Sequence, residues 1–209
     1  MFQIRNLKFK DILDIDNLTI DQTITCISGA SGSGKTTLLK LLNRLYVADQ
    51  GTILFNCDSI DNMDPVQLRR RVVMLGQTPV IYDGTIQDNL QIGRVFSEKP
   101  KVSREDLVKV MQAVGLDKAL DDCCGTLSGG EKQRLCLARV MLMDTEVYLL
   151  DEPSAALDKE TEHFIINNLA EFVLKNNKQL IMVTHSPEVQ AMYVDSQFMI
   201  ANGRVCEHE

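Results

Sequence analysis

A glycine-rich segment, GASGSGKTT, occupies residues 29–37 and limits the possible folds more than any other part of this sequence. It matches the pattern G-x-x-x-x-G-K-[ST] at Gly29, Gly34, Lys35 and Thr36. The apolar run TITCIS precedes it, and TTLLKLLNRL follows with leucines at helical spacing. A simple glycine-rich turn is the alternative interpretation. The strand pattern before the loop and the helical pattern after it favour a phosphate-binding loop.

The residue types in this loop suit a chain of phosphates. Glycines let successive backbone N–H groups converge on phosphate oxygens, and the following helix adds the positive end of its dipole. We expect Lys35 to reach the β- and γ-phosphates and the Thr36 hydroxyl to bind Mg²⁺. The candidate phosphate-binding residues are Gly29, Ala30, Ser31, Gly32, Ser33, Gly34, Lys35, Thr36 and Thr37.

Length and charge exclude several classes of protein. A chain of 209 residues is long enough to bury the core of one domain. Its formal net charge of −7 argues against broad contact with nucleic acid or with an anionic membrane surface. No run approaches the roughly 18 apolar residues of a membrane helix, and MFQIRNLKFK lacks the apolar centre of a secretory signal. We therefore expect a cytoplasmic protein without a nucleic-acid partner.

The six cysteines form neither a C-x-x-C pair nor a zinc-type spacing. Cys26 falls in a strand pattern and Cys136 in a helical pattern, which predicts that both pack in the core. Cys123 and Cys124 are adjacent in a predicted loop. Reduced thiols are the default there, and a metal or redox role is the open alternative.

Strand patterns alternate with helical patterns along the chain. FQIRNLKF, ILDIDNLTI, TITCIS, GTILFN, VVMLGQ, VYLLDE and LIMVTH are predicted strands, and FMIANGRVCE is predicted to form a hairpin about Asn-Gly. Predicted helices cover 36–45, start at Asp64-Pro65, run within 85–116 with Ser103 as an N-cap, and cover about 159–175. This order predicts an α/β fold with a parallel sheet wrapped by helices and an antiparallel N-terminal part. The phosphate-binding loop at residues 29–37 makes it a fold of the P-loop NTPase type. We expect a single domain over residues 1–209, with a small helical subdomain inserted at about 78–140.

A second carboxylate-bearing motif, VYLLDE, complements the phosphate loop. Its apolar strand delivers Asp151 to the sheet edge, where the carboxylate can hold Mg²⁺ through water. Glu152 follows directly and points elsewhere, because strand side chains alternate. A solvated strand end would explain a lone Asp-Glu pair, but the combination with a phosphate loop favours a nucleotide site.

Many nucleotide-binding proteins share the first two motifs, and the segment LSGGEKQR at residues 127–134 distinguishes between them. With it, the sequence resembles the ATP-binding-cassette (ABC) ATPases over essentially the whole chain. The phosphate loop, Gln77 after a strand, LSGGEKQR, VYLLDE, SAALD at 154–158 and His185 after a strand occur in the order that the family shows. Alone, LSGGEKQR is also compatible with an N-capped helix that has a polar first turn.

The resemblance implies that two copies of the chain sandwich two ATP molecules. Each ATP would be held by the phosphate loop of one copy and by Ser128, Gly129, Gly130 and Glu131 of the other, with Asp158 crossing the interface. Phosphoryl transfer needs positive potential at the γ-phosphate, and the sequence has no obvious arginine finger. A helix that begins at Ser128 can supply this potential through its N–H groups and its dipole.

The remaining roles are also implied by the resemblance. Glu152 would act as general base or polarise the attacking water. His185 would contact the γ-phosphate, and Gln77 would complete the Mg²⁺ shell with Thr36 and Asp151. Phe9 is the candidate for the aromatic ring that stacks on adenine. A core position is the other interpretation of Phe9.

Such a chain is expected to be the ATPase subunit of a transporter whose membrane-spanning subunit is a separate chain. This would place it at the inner face of the cell membrane. The alternatives are soluble ABC proteins of DNA repair, chromosome maintenance or translation. GQTPVIYDGTIQDNL resembles the export-type cassettes, although those usually fuse the ATPase to its membrane domain and DDCCGT departs from their pattern. The combination looks most like the ATPase of a bacterial iron or metal export system, with Ile81 and Tyr82 as contacts for the membrane subunit.

Overall fold

A computed structural model gives the fold for residues 1–155 and 157–207. These residues fall into two compact units. The first unit consists of residues 1–74, 145–151 and 177–207, and the second of residues 75–144, 152–155 and 157–176. Ala156, part of the predicted SAALD segment, lies outside the described residues.

The first unit contains the strands. In chain order its elements are β1 (Phe2–Phe9), β2 (Leu13–Ile20), β3 (Ile24–Ser28), α1 (Lys35–Leu42), β4 (Gln50–Phe55), β5 (Asp58–Ser59), α2 (Pro65–Arg71), β6 (Val72–Leu75, which ends at the border between the units), β7 (Val147–Asp151), β8 (Gln179–Val183), α7 (Pro187–Tyr193), β9 (Ser196–Ala201) and β10 (Arg204–Glu207). Helices form the second unit: α3 (Ile86–Phe96), α4 (Arg104–Ala113), α5 (Gly129–Met141) and α6 (Lys159–Lys175).

The predicted parallel sheet is confirmed. Six strands lie in the order β10-β9-β3-β8-β7-β6, and β3 pairs in parallel with β8 and β9, as β7 does with β8. Every residue of β7 and β8 is buried, and so are four of the five residues of β3. Parallel strands covered on both faces require such continuous apolar runs. The carboxyl ends of β3, β8 and β7 therefore lie at one edge of the sheet.

The predicted antiparallel part is a second sheet with the strand order β2-β1-β4-β5. The buried residues of β1 are Phe2, Ile4, Leu7 and Phe9, so the alternation shifts by one position in the middle of the strand. The pairing of β1 with β4 shifts register there, between Arg5 and Lys8. This bulge returns the apolar side chains to the buried face.

The core of the first unit joins both sheets to α1. The leucines of α1 pack in one cluster with apolar side chains from β1, β2, β4, β7 and β8. Leu38, Leu39 and Leu42 have no exposed surface, and truncating one such leucine to alanine typically costs about 2–5 kcal/mol. The helix that follows the predicted phosphate loop is therefore anchored firmly to the sheets.

In the second unit, α3 and α4 pack against α5, and α4 also contacts α6. Thr85, Ser103, Ser128 and Asp158 cap these four helices, each accepting a hydrogen bond from the backbone N–H three residues on. This confirms the predicted cap at Ser103. Among the described residues, none of the helices is long and apolar enough to cross a membrane.

The helical pattern of 85–116 forms two helices, α3 and α4, which are separated at residues 97–103 because Pro100 cannot continue a helix and Glu98 has a φ of 56°. Some predicted boundaries were wrong. The first helix ends at Leu42 rather than Leu45, and the strand VVMLGQ ends before Gln77, at Leu75. The helix α7 was not predicted. The predicted hairpin about Asn-Gly and the predicted helix of residues 159–175 are confirmed.

The cysteines of the core behave as predicted. Cys26 and Cys136 are buried, and burial raises the pKa of the Cys26 thiol to about 12. Cys124 is buried and accepts a hydrogen bond from the Asn89 amide at 3.2 Å, whereas Cys123 is exposed. Within the part of the chain that the structure describes, no group of three His, Cys, Asp or Glu side chains could hold a metal ion.

The bulge in β1 yields a test of the fold. Gly51 has a φ of 90°, and a Cβ there would stand 2.3 Å from the backbone oxygen of Asn6. Gly51→Ala should therefore cost about 3 kcal/mol of unfolding free energy and lower Tm by roughly 5–10 °C. Gly125→Ala is the control, because its Cβ would meet only the Cys123 sulfur at an ordinary 3.6 Å. Equal melting temperatures for the two variants would contradict this account of the bulge.

Candidate nucleotide-binding site

The predicted phosphate loop connects β3 to α1. Gly29, Gly32 and Gly34 have φ values of 135°, 77° and 108°, a range that favours glycine. At Gly29 a Cβ would also stand 2.2 Å from the Ile200 carbonyl oxygen in β9. The first glycine of the motif is therefore required by both its backbone angle and its close approach to a neighbouring strand.

The Lys35 side chain lies over the loop and is buried. Its Nζ donates hydrogen bonds to the carbonyl oxygens of Gly29 and Ala30, each at 2.8 Å. The ammonium group is thus held beside the loop backbone. A phosphate chain whose oxygens accepted hydrogen bonds from the loop N–H groups would lie next to this positive charge.

Thr36 and Asp151, two residues of the predicted Mg²⁺ site, lie in direct contact. The Thr36 hydroxyl donates to Asp151 Oδ2 at 2.8 Å, although the two residues are 115 positions apart in the chain. Asp151 is buried at the carboxyl end of β7, and Thr36 lies in the first turn of α1. The sheet therefore brings the hydroxyl of one motif to the carboxylate of the other.

The donor set fits a phosphate chain with Mg²⁺. The Ser33 hydroxyl is buried and, among the described residues, has no hydrogen-bond partner. The N-terminus of α1 has no side-chain cap at Gly34, so its first N–H groups suit an anion. The oxygens of Thr36 and Asp151 are ligands of the kind that Mg²⁺ prefers.

Gln77 and Glu152 form a contact within the second unit. The Gln77 amide donates to Glu152 Oε2 at 3.0 Å. Glu152 has a φ of 50°, a left-handed conformation that costs a residue other than glycine about 1–3 kcal/mol. Such strain is typical of functional sites. Asp151 and Glu152 are neighbours in the chain, yet their carboxylates have different partners.

The SAALD segment is tied to α6. The Ser154 hydroxyl donates to Glu162 in the first turns of this helix. Asp158 is the N-cap of α6 and accepts hydrogen bonds from the Thr161 N–H at 3.0 Å and the Thr161 hydroxyl at 2.7 Å. These hydrogen bonds lower the pKa of Asp158. Its predicted place at a dimer interface stays a prediction.

The segment LSGGE starts α5 with a reciprocal cap. Ser128 Oγ accepts from the Glu131 N–H at 3.3 Å, and Glu131 Oε2 accepts from the Ser128 N–H at 2.8 Å. Gly129 and Gly130 form the first turn between them. Lys118 Nζ lies 3.1 Å from Glu131 Oε1. The hydrogen bonds with Ser128, followed by Lys118, lower the pKa of Glu131 to about 2.

His185 and Phe9 occupy different settings. His185 is exposed and follows β8. Phe9 is only 6% exposed, because Tyr46 stacks on its ring at a centroid distance of 5.3 Å and an angle of 10°. The structure therefore places Phe9 in the core, the alternative that the sequence left open, and its stacking on adenine stays a prediction.

Sequence reasoning missed three partners of the predicted residues: Tyr46, Lys118 and Glu162. The pair of Ser128 and Glu131 has a visible signal, since Ser-x-x-Glu before a helix is a capping box. Lys118 precedes Glu131 by thirteen positions across a loop, so no local spacing connects them. The contact between Lys118 and Glu131 therefore arises only from the tertiary structure.

A family model described as ABC transporter matches residues 13–155, more than half of the chain. The chain belongs to the ABC transporter ATPase family. The observed α/β fold with a parallel sheet is the fold of the ABC ATPases. Members of this family hydrolyse ATP and couple the hydrolysis to transport. The resemblance that the motifs indicated is thereby confirmed at the level of the family.

Relatives of this ABC ATPase serve different transporters. The chain is 37% identical to the phosphate import ATP-binding protein PstB of Pyrobaculum aerophilum, over 94% of this chain and 84% of that protein. It is 33% identical to the ATP-dependent lipid A-core flippase of Xanthomonas axonopodis pv. citri, over 94% of this chain but 34% of that protein. A solved ATP-bound bacterial Atm1-family ABC exporter superposes with a TM-score of 0.88 at 25% identity, over 99% of this chain and 38% of that chain.

The cap at Glu131 predicts a pH dependence of stability. The folded-state pKa of about 2 lies below the ordinary 4.5, so the ionised carboxylate stabilises the fold above pH 4.5. This contribution is lost as the pH falls from 4.5 toward 2. Glu131→Ala should therefore be less stable than the parent at neutral pH, and thermal melts should show the difference shrinking over that range.

The matched variant is Glu131→Gln, whose amide oxygen still accepts from the Ser128 N–H. At neutral pH it should melt above Glu131→Ala. A difference between parent and Glu131→Ala that stayed constant down to pH 2 would count against the ionised cap.

Proposed function

We propose that this ABC ATPase binds ATP with Mg²⁺ and hydrolyses it at sites shared with a second copy, driving a transporter whose spanning helices lie on another chain. The contact between Thr36 and Asp151 is the observation that carries the proposal. It joins GASGSGKTT to VYLLDE at the carboxyl edge of the parallel sheet, where open α/β sheets bind their ligands.

Nucleotide binding rests on the phosphate loop. The loop N–H groups and Lys35 bind the phosphates, and the Ser33 hydroxyl supplies a further donor. Thr36 and Gln77 would be ligands of Mg²⁺, and Asp151 would hold the ion through water. When bound, Mg²⁺ neutralises negative charge on the β- and γ-phosphates.

Hydrolysis needs a base for the attacking water. Glu152 is the proposed base, and the Gln77 amide orients one of its oxygens at 3.0 Å. The left-handed backbone at Glu152 supports this role, since strained residues concentrate at functional sites. His185 is the proposed contact to the γ-phosphate.

The second copy would supply the positive potential that phosphoryl transfer requires. The cap on α5 orders Ser128, Gly129 and Gly130 at the positive end of a helix of 13 residues. We propose that this end, with Glu131, faces the γ-phosphate held by the other copy, and that Asp158 lies at the same interface.

The transporter itself is also part of the proposal. The flippase and the Atm1-family exporter support an export role, together with the segment GQTPVIYDGTIQDNL, whereas PstB is an import protein. This chain spans about a third of the flippase's length. We also propose a separate membrane subunit, attachment to the inner face of the membrane, and iron or another metal as the cargo.

Two substitutions should abolish ATP hydrolysis for different reasons. Lys35→Ala removes the charge beside the phosphate loop and should weaken ATP binding itself. Glu152→Gln keeps the side-chain volume and should spare binding while slowing turnover by roughly 10²–10⁴-fold. Binding measured with a fluorescent nucleotide and turnover measured by phosphate release separate the two effects.

Glu105→Gln is the control for Glu152→Gln, because Glu105 lies exposed on α4 and pairs with Lys109. It should keep the turnover of the parent. Normal turnover in Glu152→Gln would show that Glu152 is not the base.

The Glu152→Gln protein should also form a dimer that depends on ATP, since unhydrolysed ATP holds the two copies together. Ser128→Arg in that background places bulk and charge at the start of α5 and should prevent dimerisation. Gel filtration with and without ATP measures both. A Glu152→Gln protein that stays monomeric at saturating ATP would contradict the shared site.

Contact with the membrane subunit is expected at an aromatic pair of the second unit. Tyr82 and Phe96 are 40% and 61% exposed, and their rings meet edge to face with centroids 6.0 Å apart. The Arg139 guanidinium lies 5.2 Å from the centre of the Tyr82 ring. Exposed aromatic residues that are held rigid are typical anchors of interfaces.

Tyr82→Ala should weaken co-purification with the membrane protein encoded beside this chain while ATP hydrolysis by the purified subunit stays nearly intact. Leu174→Ala on α6 is the control for loss of an exposed apolar side chain. A lowered Tm with unchanged co-purification would mean that Tyr82 only packs its own loop. Unchanged co-purification and transport would exclude the coupling role.

A further inference from the structure

The start of α5 carries a charge that opposes its proposed task. Glu131 lies in the first turn, where a carboxylate stabilises the helix because it faces the positive end of the dipole. The same negative charge lowers the potential that this end presents to a phosphate. A helix N-terminus that must attract the γ-phosphate of ATP therefore needs compensation for Glu131.

Lys118 is placed to provide that compensation. Both carboxylate oxygens of Glu131 are engaged: Oε2 accepts from the Ser128 N–H at 2.8 Å, and Oε1 lies 3.1 Å from Lys118 Nζ. The side chains of Lys118 and Glu131 are 35% and 21% exposed. Charges that are partly shielded from water are screened less than fully exposed ones, so the pair can influence an anion near the helix end.

We propose that Lys118 is a positioning residue of the shared ATP site. It neutralises Glu131 and holds the Glu131 carboxylate on the Ser128 N–H. The start of α5 thereby keeps its positive potential and its ordered Ser128 for the γ-phosphate bound by the other copy. This inference rests on the proposed function, because it requires ATP to lie between two copies.

The contact geometry separates this role from direct binding of ATP by Lys118. If Lys118 acts through Glu131, its loss matters only while residue 131 is charged. Glu131→Gln removes the charge and retains an oxygen that accepts from the Ser128 N–H. Lys118→Ala should then have no further effect. If Lys118 bound a phosphate directly, its removal would weaken ATP binding in either background.

The test measures the ATP concentration that gives half-maximal dimerisation in the Glu152→Gln background. Lys118→Ala should raise it about tenfold, and more at low salt than at high salt, as expected for a lost charge. Lys118→Arg should restore the parent value. Adding Lys118→Ala to Glu131→Gln should change the value for Glu131→Gln by less than twofold.

Lys109→Ala is the matched control, since Lys109 is an exposed lysine of α4 whose Nζ lies 2.7 Å from Glu105. It should leave dimerisation unchanged. Dimerisation of the Glu152→Gln parent without any effect of Lys118→Ala would overturn this inference alone. An equal effect of Lys118→Ala with Glu131→Gln would overturn it in favour of direct binding. A parent that never dimerises would overturn the proposed function and this inference with it.

Discussion

The parallel pairing of β3, β8 and β7 determines where the predicted site residues of the first unit lie. Each of these strands is followed at its carboxyl end by a predicted site residue or motif: the phosphate loop after β3, Asp151 at the end of β7 and His185 after β8. Because the strands run parallel, these ends meet at one edge of the sheet. The Thr36 contact with Asp151 is the direct result.

The second unit places its predicted site residues at the N-terminal ends of helices. Its four helices all begin with a capping side chain, and two of these caps, Ser128 and Asp158, are predicted site residues. A cap fixes the first turn of a helix and directs its N–H groups. In the proposed dimer, two helix N-termini therefore bind the phosphates of one ATP. One is the N-terminus of α1 in one copy, and the other is the N-terminus of α5 in the other copy.

Sequence reasoning found the motif positions because they depend on local patterns. The glycines of the loop require positive φ, and VYLL and LIMV are apolar runs that both faces of a parallel sheet require. Contacts between residues that are far apart in the chain could not be predicted in this way. Tyr46 covers Phe9, and Lys118 pairs with Glu131. These contacts join segments that no spacing rule connects.

The central claim is that each ATP site is built from two copies, and mixing two inactive variants tests it most directly. Lys35→Ala has a defective phosphate loop and an intact α5 start, whereas Ser128→Arg has the reverse. A mixed dimer would contain one site with an intact loop and an intact α5 start. The account predicts that each variant alone is inactive and that ATP hydrolysis appears on mixing. A mixture no more active than its separate components, or a Ser128→Arg protein that hydrolyses ATP alone, would contradict it.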